Sequence, residues 1–317
     1  METLQSATAD FLRHCRFEKN LSPKTLKAYS IDLQQLQCFL LSHDHPVLIN
    51  DITKTQLRDF LEFIAGLKPR SIKRKIATVK ALFNYLEFED RVPVNPFRKM
   101  QIRIKENNQI PSVMDMREIT RIFNAANRHR NGVKDRFSYQ YLASLRDIVI
   151  IELLFATGAR VSEIAGLRFE NINLITGSIT IKGKGNKERL IHICNPETIA
   201  ALKSYRSLCT DRAIDTGGYF LANRFSQKIS DQSIRGIVKR LSSRAGITRR
   251  ITPHVFRHSF ATLLLERDVD IKYIQSLLGH SSITTTQIYT HVNRARQKQI
   301  LSKKHPRKDF SLIHETQ

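Results

Sequence analysis

Three things are scarce in this sequence. Only four cysteines occur in 317 residues (Cys15, Cys38, Cys194 and Cys209), and no two form a Cys-x-x-Cys pair. Neither a disulfide framework nor a zinc site is indicated, and reduced thiols of an intracellular protein are the expectation. No uninterrupted apolar run approaches the roughly 20 residues of a membrane span. Met1 to Arg13 is polar and carries acids, without the apolar core of a signal peptide, so the cytoplasm or nucleoid is the expected location. Acidic residues are also few: 29, against 52 Lys and Arg, a net charge of +23. Such an excess repels itself in a compact chain, which a polyanion relieves. Nucleic acid and an anionic membrane surface are the usual partners, and a basic protein without one is the bland alternative.

The first hundred residues read as helices only. Ser22 is an N-cap followed by Pro23 at the first helical position, and Leu26, Tyr29, Leu33, Leu36 and Leu40 then form one apolar stripe. A second helix is expected from Ser71, with Ile72, Ile76, Val79, Phe83 and Leu86 on one face. Lys73, Arg74, Lys75 and Lys80 fall mostly off that stripe, as phosphate contacts or as an ordinary solvated face. Pro93, Pro96 and the polar run ending at Pro111 stop the helical pattern, so residues 100–112 read as a linker. Residues 1–99 carry 16 basic and 11 acidic residues (+5), leaving 36 and 18 (+18) beyond them.

Past the linker, helices are expected near Met116–Asn127 and Leu145–Ala156, with Asn127 to Ala143 as a surface insertion. Ser178 to Ile181 and Arg189 to Ile193 alternate at period two around Gly183-Lys184-Gly185-Asn186. That pattern is a β-hairpin, with room for a short strand before it. Helical signals resume after Pro196. The fold class is therefore mainly α with a small antiparallel sheet (α+β).

Four segments fit phosphodiester chemistry. Gly158 is a natural left-handed cap, and Arg160 after it opens a new helix, where a guanidinium fork beside free N–H groups suits an anion. A surface arginine at a helix junction is the plain reading. Lys184 at the hairpin tip could enter a DNA groove or be a solvated turn lysine. His254 and Arg257 lie three apart on a helix begun by Thr252 and Pro253, but His291 and Arg294 repeat the spacing, so the motif alone decides nothing. Gly279 caps a helix whose Ile271, Ile274 and Leu278 should be buried. His280 follows at its exit, and Tyr289 stands nine residues on in a threonine-rich run, as a nucleophile or a half-buried structural tyrosine.

Taken together and in this order, the segments resemble the catalytic domain of the tyrosine recombinases (phage integrase family), Xer-like branch. The phrases that carry the likeness are ATGARVSEIAGL, GKGNKERL, HVFRHSFATLLLE and IQSLLGHSSITTTQIYTHV. LSPKTLKAYSIDLQQLQCFL resembles the family's helical core-binding (SAM-like) domain. The resemblance implies a two-domain DNA clamp, with residues 1–99 core-binding and 113–300 catalytic. Residues 301–317, which mix Leu301, Phe310, Leu312 and Ile313 with Lys303, Lys304, Arg307 and Lys308, read as a tail that docks an apolar edge on a neighbouring subunit with its charges toward DNA, or as a frayed basic end. The resemblance implies Arg160, Lys184, His254, Arg257, His280 and the nucleophile Tyr289 as catalytic residues, with Glu163 in support. It also implies a covalent 3′-phosphotyrosyl intermediate without metal, cofactor or ATP. The implied partner is double-stranded DNA, two sites being held by a homo-tetramer or a hetero-tetramer with a related recombinase. A type IB topoisomerase and a non-catalytic DNA-binding regulator are the competing readings.

Overall fold

Helix starts are set locally along this chain, and most have a side-chain cap. In the computed structural model the chain divides into two compact units, Met1–Gln109 and Ile110–Gln317. Residues 2–98, 100–105, 112–183, 188–279 and 294–309 are described, the side chains of 294–298 excepted. Lys184, His280, Tyr289, His291 and residues 310–317 lie outside them.

The first unit contains α1 (Leu4–Phe17), α2 (Pro23–Ser42), α3 (Lys54–Phe63) and α4 (Pro69–Phe88). Ser22 caps α2 by accepting from the Thr25 N–H, with Pro23 in the first turn. The second long helix begins at Pro69, two residues before Ser71, with Lys68 as an N-cap that makes no side-chain bond. Phe11, Leu33, Leu36, Leu40, Val79, Leu82, Phe83 and Leu86 form the core. The phosphate-facing row on α4 needs correction at Lys75. This residue is buried, and its ammonium donates to Asp32 at 3.0 Å. Asp32 is itself fully buried and also accepts from Arg74 and from the Thr78 hydroxyl. A buried carboxylate demands charged and hydroxyl donors, so Lys75 turns inward. Lys73, Arg74 and Lys80 stay exposed.

The second unit is organised by α6 (Tyr139–Thr157), in which Leu142 and every residue from Ser144 onward are buried. A helix apolar nearly all round belongs inside a domain. α5 (Met116–Asn131), α8 (Pro196–Asp211) and α10 (Pro253–Leu265) pack against it. The expected insertion at 127–143 is a correction. α5 continues to Asn131 and α6 starts at Tyr139 behind the Ser138 N-cap. Arg128, His129 and Arg130 hid that helix end by their polarity, yet they suit its negative pole.

β1 (Ile172–Asn173), β2 (Ser178–Lys182) and β3 (Glu188–His192) form an antiparallel sheet in that order. Ile172 pairs Ile179, Ile179 pairs Ile191, and Ile181 pairs Arg189. The isoleucines face the core, as period-two alternation dictates. α7 (Val161–Ala165), α9 (Asp231–Arg244), α11 (Ile271–Leu278) and α12 (Arg294–Lys304) complete the unit with a 3-10 turn at Pro306–Asp309. On α11, Ile274, Leu277 and Leu278 are buried, but Ile271 is exposed because the first turn lies outside the packed stripe.

The expected tail boundary at 300 also needs correction. Leu301 and Arg307 are fully buried, and His305 and Pro306 nearly so, all within their own unit. Arg307 donates to Glu152 at 2.8 Å and to Glu197 at 2.6 Å, so its charge is spent inside the fold and does not face DNA. Residues 301–309 are thus docked on their own unit.

Candidate active site

α6 ends at Gly158, whose φ of +58° makes the left-handed cap. Glycine is required there twice over, since an added Cβ would stand 2.5 Å from the Phe260 ring and 2.9 Å from Leu278. The Thr157 hydroxyl donates to the Leu153 carbonyl and accepts from the Ala159 N–H, fixing the turn. Arg160 follows as the N-cap of α7.

Glu163, four residues into this turn and nearly buried, is the hub. One oxygen accepts from Arg160 Nη1 at 2.9 Å and Arg189 Nη1 at 3.1 Å. The other accepts from the Arg160 backbone N–H at 2.8 Å and Arg189 Nη2 at 2.7 Å. Burial alone would raise this carboxyl's pKa. The hydrogen bonds and charges of Arg189 and Arg160 outweigh it and hold the pKa below the usual value, so Glu163 is ionised at neutral pH.

Three arginines then converge on the end of α11. Arg189 Nε donates to the Leu277 carbonyl at 2.8 Å, Arg257 Nη2 to Leu278 at 2.8 Å, and Arg160 Nη2 to Gly279 at 3.2 Å. Arg257 also donates through Nη1 to the Gly158 carbonyl at 2.8 Å. These carbonyls are the negative ends of two helices, so cations fit them without a carboxylate partner. Burial first, and Arg160 beside it second, lower the Arg257 pKa to about 10, which still leaves it charged at neutral pH. Three guanidiniums therefore cluster around one carboxylate, Glu163, which among the described residues bonds only Arg160 and Arg189. Such an excess is unfavourable alone and favourable beside an anion.

His254 is exposed in the first turn of α10. Partial desolvation by the surrounding atoms, then the neighbouring His258, Arg235, Arg257 and Arg160, lower its pKa, so the imidazole is neutral near pH 7 and free to accept a proton. The structure brings Arg160, Glu163, His254 and Arg257 together. The strands flanking Lys184 and the helix preceding His280 belong to the same unit. Lys73, Arg74 and Lys80 stand on α4 of the other unit.

Sequence reasoning missed Arg189. Its position carries a signal, because it shares strand parity with the core-facing Ile191 and Ile193. A charged residue on that face needs a buried partner, which Glu163 is. Among the described residues, no helix is long and apolar enough to cross a membrane.

The phage integrase family profile matches residues 112–296, and the profile of the phage integrase N-terminal SAM-like domain matches 9–90. A tyrosine recombinase of Agathobacter rectalis is 41% identical over 98% of this chain and 99% of its own. Tyrosine recombinase XerC of Natranaerobius thermophilus is 32% identical over 96% of this chain and 100% of its own. The fold resembles that of a lambda integrase dimer bound to a COC′ core site, with a TM-score of 0.67 at 20% identity over 92% of this chain and 100% of that one. The chain belongs to the phage integrase family and is an Xer-like tyrosine recombinase, a DNA breaking–rejoining enzyme of site-specific recombination.

Proposed function

We propose that this recombinase acts on duplex DNA in the cytoplasm, four protomers (all of this chain, or mixed with a related recombinase) holding two sites. Residues 1–99 form the core-binding domain, with Lys73, Arg74 and Lys80 on DNA phosphates, and the catalytic domain starts after the linker at 100–112. Arg160, Arg257 and His280 neutralise the non-bridging oxygens of the scissile phosphate and the charge that grows there in the transition state. The Tyr289 hydroxyl, with a pKa near 10, attacks phosphorus as His254 accepts its proton. The bond to the 5′-oxygen breaks, and Lys184 protonates that oxygen. The phosphotyrosyl bond conserves the energy of the broken one, so rejoining by a 5′-hydroxyl needs no ATP, and the cationic side chains take the part that divalent metals play in other nucleases.

The observation that carries this reading is the sharing of one carboxylate, Glu163, between Arg160 and Arg189 while Arg257 has only carbonyl partners in the hydrogen bonds described. Its test compares two His-x-x-Arg arginines on a nicked duplex bearing the enzyme's site. Arg257→Ala should abolish cleavage, since a charge-assisted phosphate contact and its transition-state share are worth several kcal/mol. Arg294→Ala should stay within about tenfold of wild type. The opposite ranking would refute the assignment.

A further inference from the structure

The charged group most tightly built into this region without a place in the chemistry above is Arg189. Its guanidinium grips both oxygens of Glu163 and, through Nε, the Leu277 carbonyl, using three N–H groups at once. Its Nη1 would stand 3.1 Å from a Cβ placed on Gly279, so the backbone leaving α11 lies directly against it. The side chain is 13% exposed, which leaves little surface for a ligand of its own. β3, α7 and α11, three elements far apart in sequence, therefore meet at one planar group.

We propose that Arg189 is a positioning residue for strand cleavage, acting through Arg160; the inference rests on the functional reading above. Arg189 occupies one lone-pair direction on each Glu163 oxygen. Arg160 is left with a single side-chain bond to that carboxylate and a second bond, through Nη2, to the Gly279 carbonyl. Its remaining N–H groups have no further partner among the described residues and can meet a phosphate, and its side chain is 34% exposed. Without Arg189, one lone pair opens on each carboxylate oxygen, beside the Arg160 Nη1 bond on one and the Arg160 backbone N–H bond on the other, and the Arg160 side chain can reach both. A guanidinium facing a free carboxylate closes into the two-bond fork, which is the stronger arrangement. That fork withdraws from the phosphate the N–H groups that stabilise its transition state, while the ground-state contacts of the rest of the protein with DNA are unchanged.

The test uses the full chain and a nicked duplex carrying a site selected by the wild-type protein from random DNA. Single-turnover formation of the covalent adduct is followed for wild type and Arg189→Gln. Each runs on two substrates, one with the normal 5′-oxygen and one with sulfur in its place. A thiolate, with a thiol pKa near 8.5, leaves without being protonated. The expected result is a rate at least tenfold lower by the same factor on both substrates, with the final extent of adduct and the DNA dissociation constant within about threefold of wild type. If Arg189→Gln does not fold, Arg189→Lys carries the test, because a single ammonium cannot occupy both oxygens and the Leu277 carbonyl, and the same split is expected. A rate within twofold of wild type overturns the proposal. So does a lower extent at an unchanged rate, which marks a merely structural role. A defect relieved by the sulfur substrate also overturns it, since Arg189 would then act on leaving-group protonation. Failure of the wild type to form any adduct on its selected site sinks the functional reading, and this inference with it.

Discussion

The hydrogen bonds of His305 fix its protonation state. Nε2 lies 3.1 Å from the Ala156 carbonyl, which can only accept, and Nδ1 accepts from the Arg307 N–H at 2.9 Å. Both bonds exist only for the neutral imidazole with its proton on Nε2. Burial above all, with Arg267 and Arg307 adding to it, lowers this pKa to about 4. The unfolded imidazole takes up a proton near its ordinary 6.5. Between those values the unfolded state binds more protons, so stability is fully present above pH 6.5 and is lost as the pH falls toward 4. The loss between pH 7 and pH 5 from this one group is about 2 kcal/mol. Gln can donate and accept at the same two places without titrating. The urea transition of the second unit should therefore lose less stability between pH 7 and pH 5 in His305→Gln than in wild type. Equal losses would mean that His305 is not the group responsible.

Among the elements, those announced by local chemistry were legible in the sequence. Ser22-Pro23 and Thr252-Pro253 start helices as their capping residues dictate, and Gly158 and Gly279 end helices in the left-handed region. The alternation around the hairpin marks β2 and β3. What stayed hidden depends on partners distant in the chain. Lys75 reads as a surface lysine until Asp32, 43 residues away, is seen beside it. Arg189 reads as strand filler until Glu163 faces it. Arg307 reads as part of a basic tail until Glu152 and Glu197 close around it. This last pair changes what truncation means. Glu152 is 1% exposed, so removing residues after Ser302 deletes Arg307 and strands a buried carboxylate. Only deletion after Asp309 tests docking on a neighbour without unsettling the domain. Arg307→Met should cost about 3–5 kcal/mol, and adding Glu152→Leu should regain more than half, because two apolar side chains replace a buried pair better than one charge tolerates solitude. Urea unfolding of the single and double variants measures this, and an additive double variant would show that the two residues are not coupled.

For the whole molecule, the charge of +23 and the arginine cluster serve one end at two ranges. Spread over the surface, positive charge draws in a polyanion. At the end of α6 it is concentrated in guanidiniums held on helix-end carbonyls, the cluster that the proposed function sets against a single phosphate. The resemblance implies the order Arg160, Lys184, His254, Arg257, His280 and Tyr289 along the chain. The way Glu163 is shared was not legible there, since it is a property of three elements meeting in space. The most direct test of this account is Tyr289→Phe, which removes one oxygen and should change folding and DNA affinity by less than about 1 kcal/mol. A nicked duplex carrying the enzyme's own site is incubated without metal and run on a denaturing gel. Wild type should leave a protein–DNA adduct at the 3′ end, and Tyr289→Phe should bind the same duplex and leave none, because the phenolic oxygen it lacks is the proposed nucleophile. An adduct that persists in Tyr289→Phe would contradict the account and place the nucleophile elsewhere.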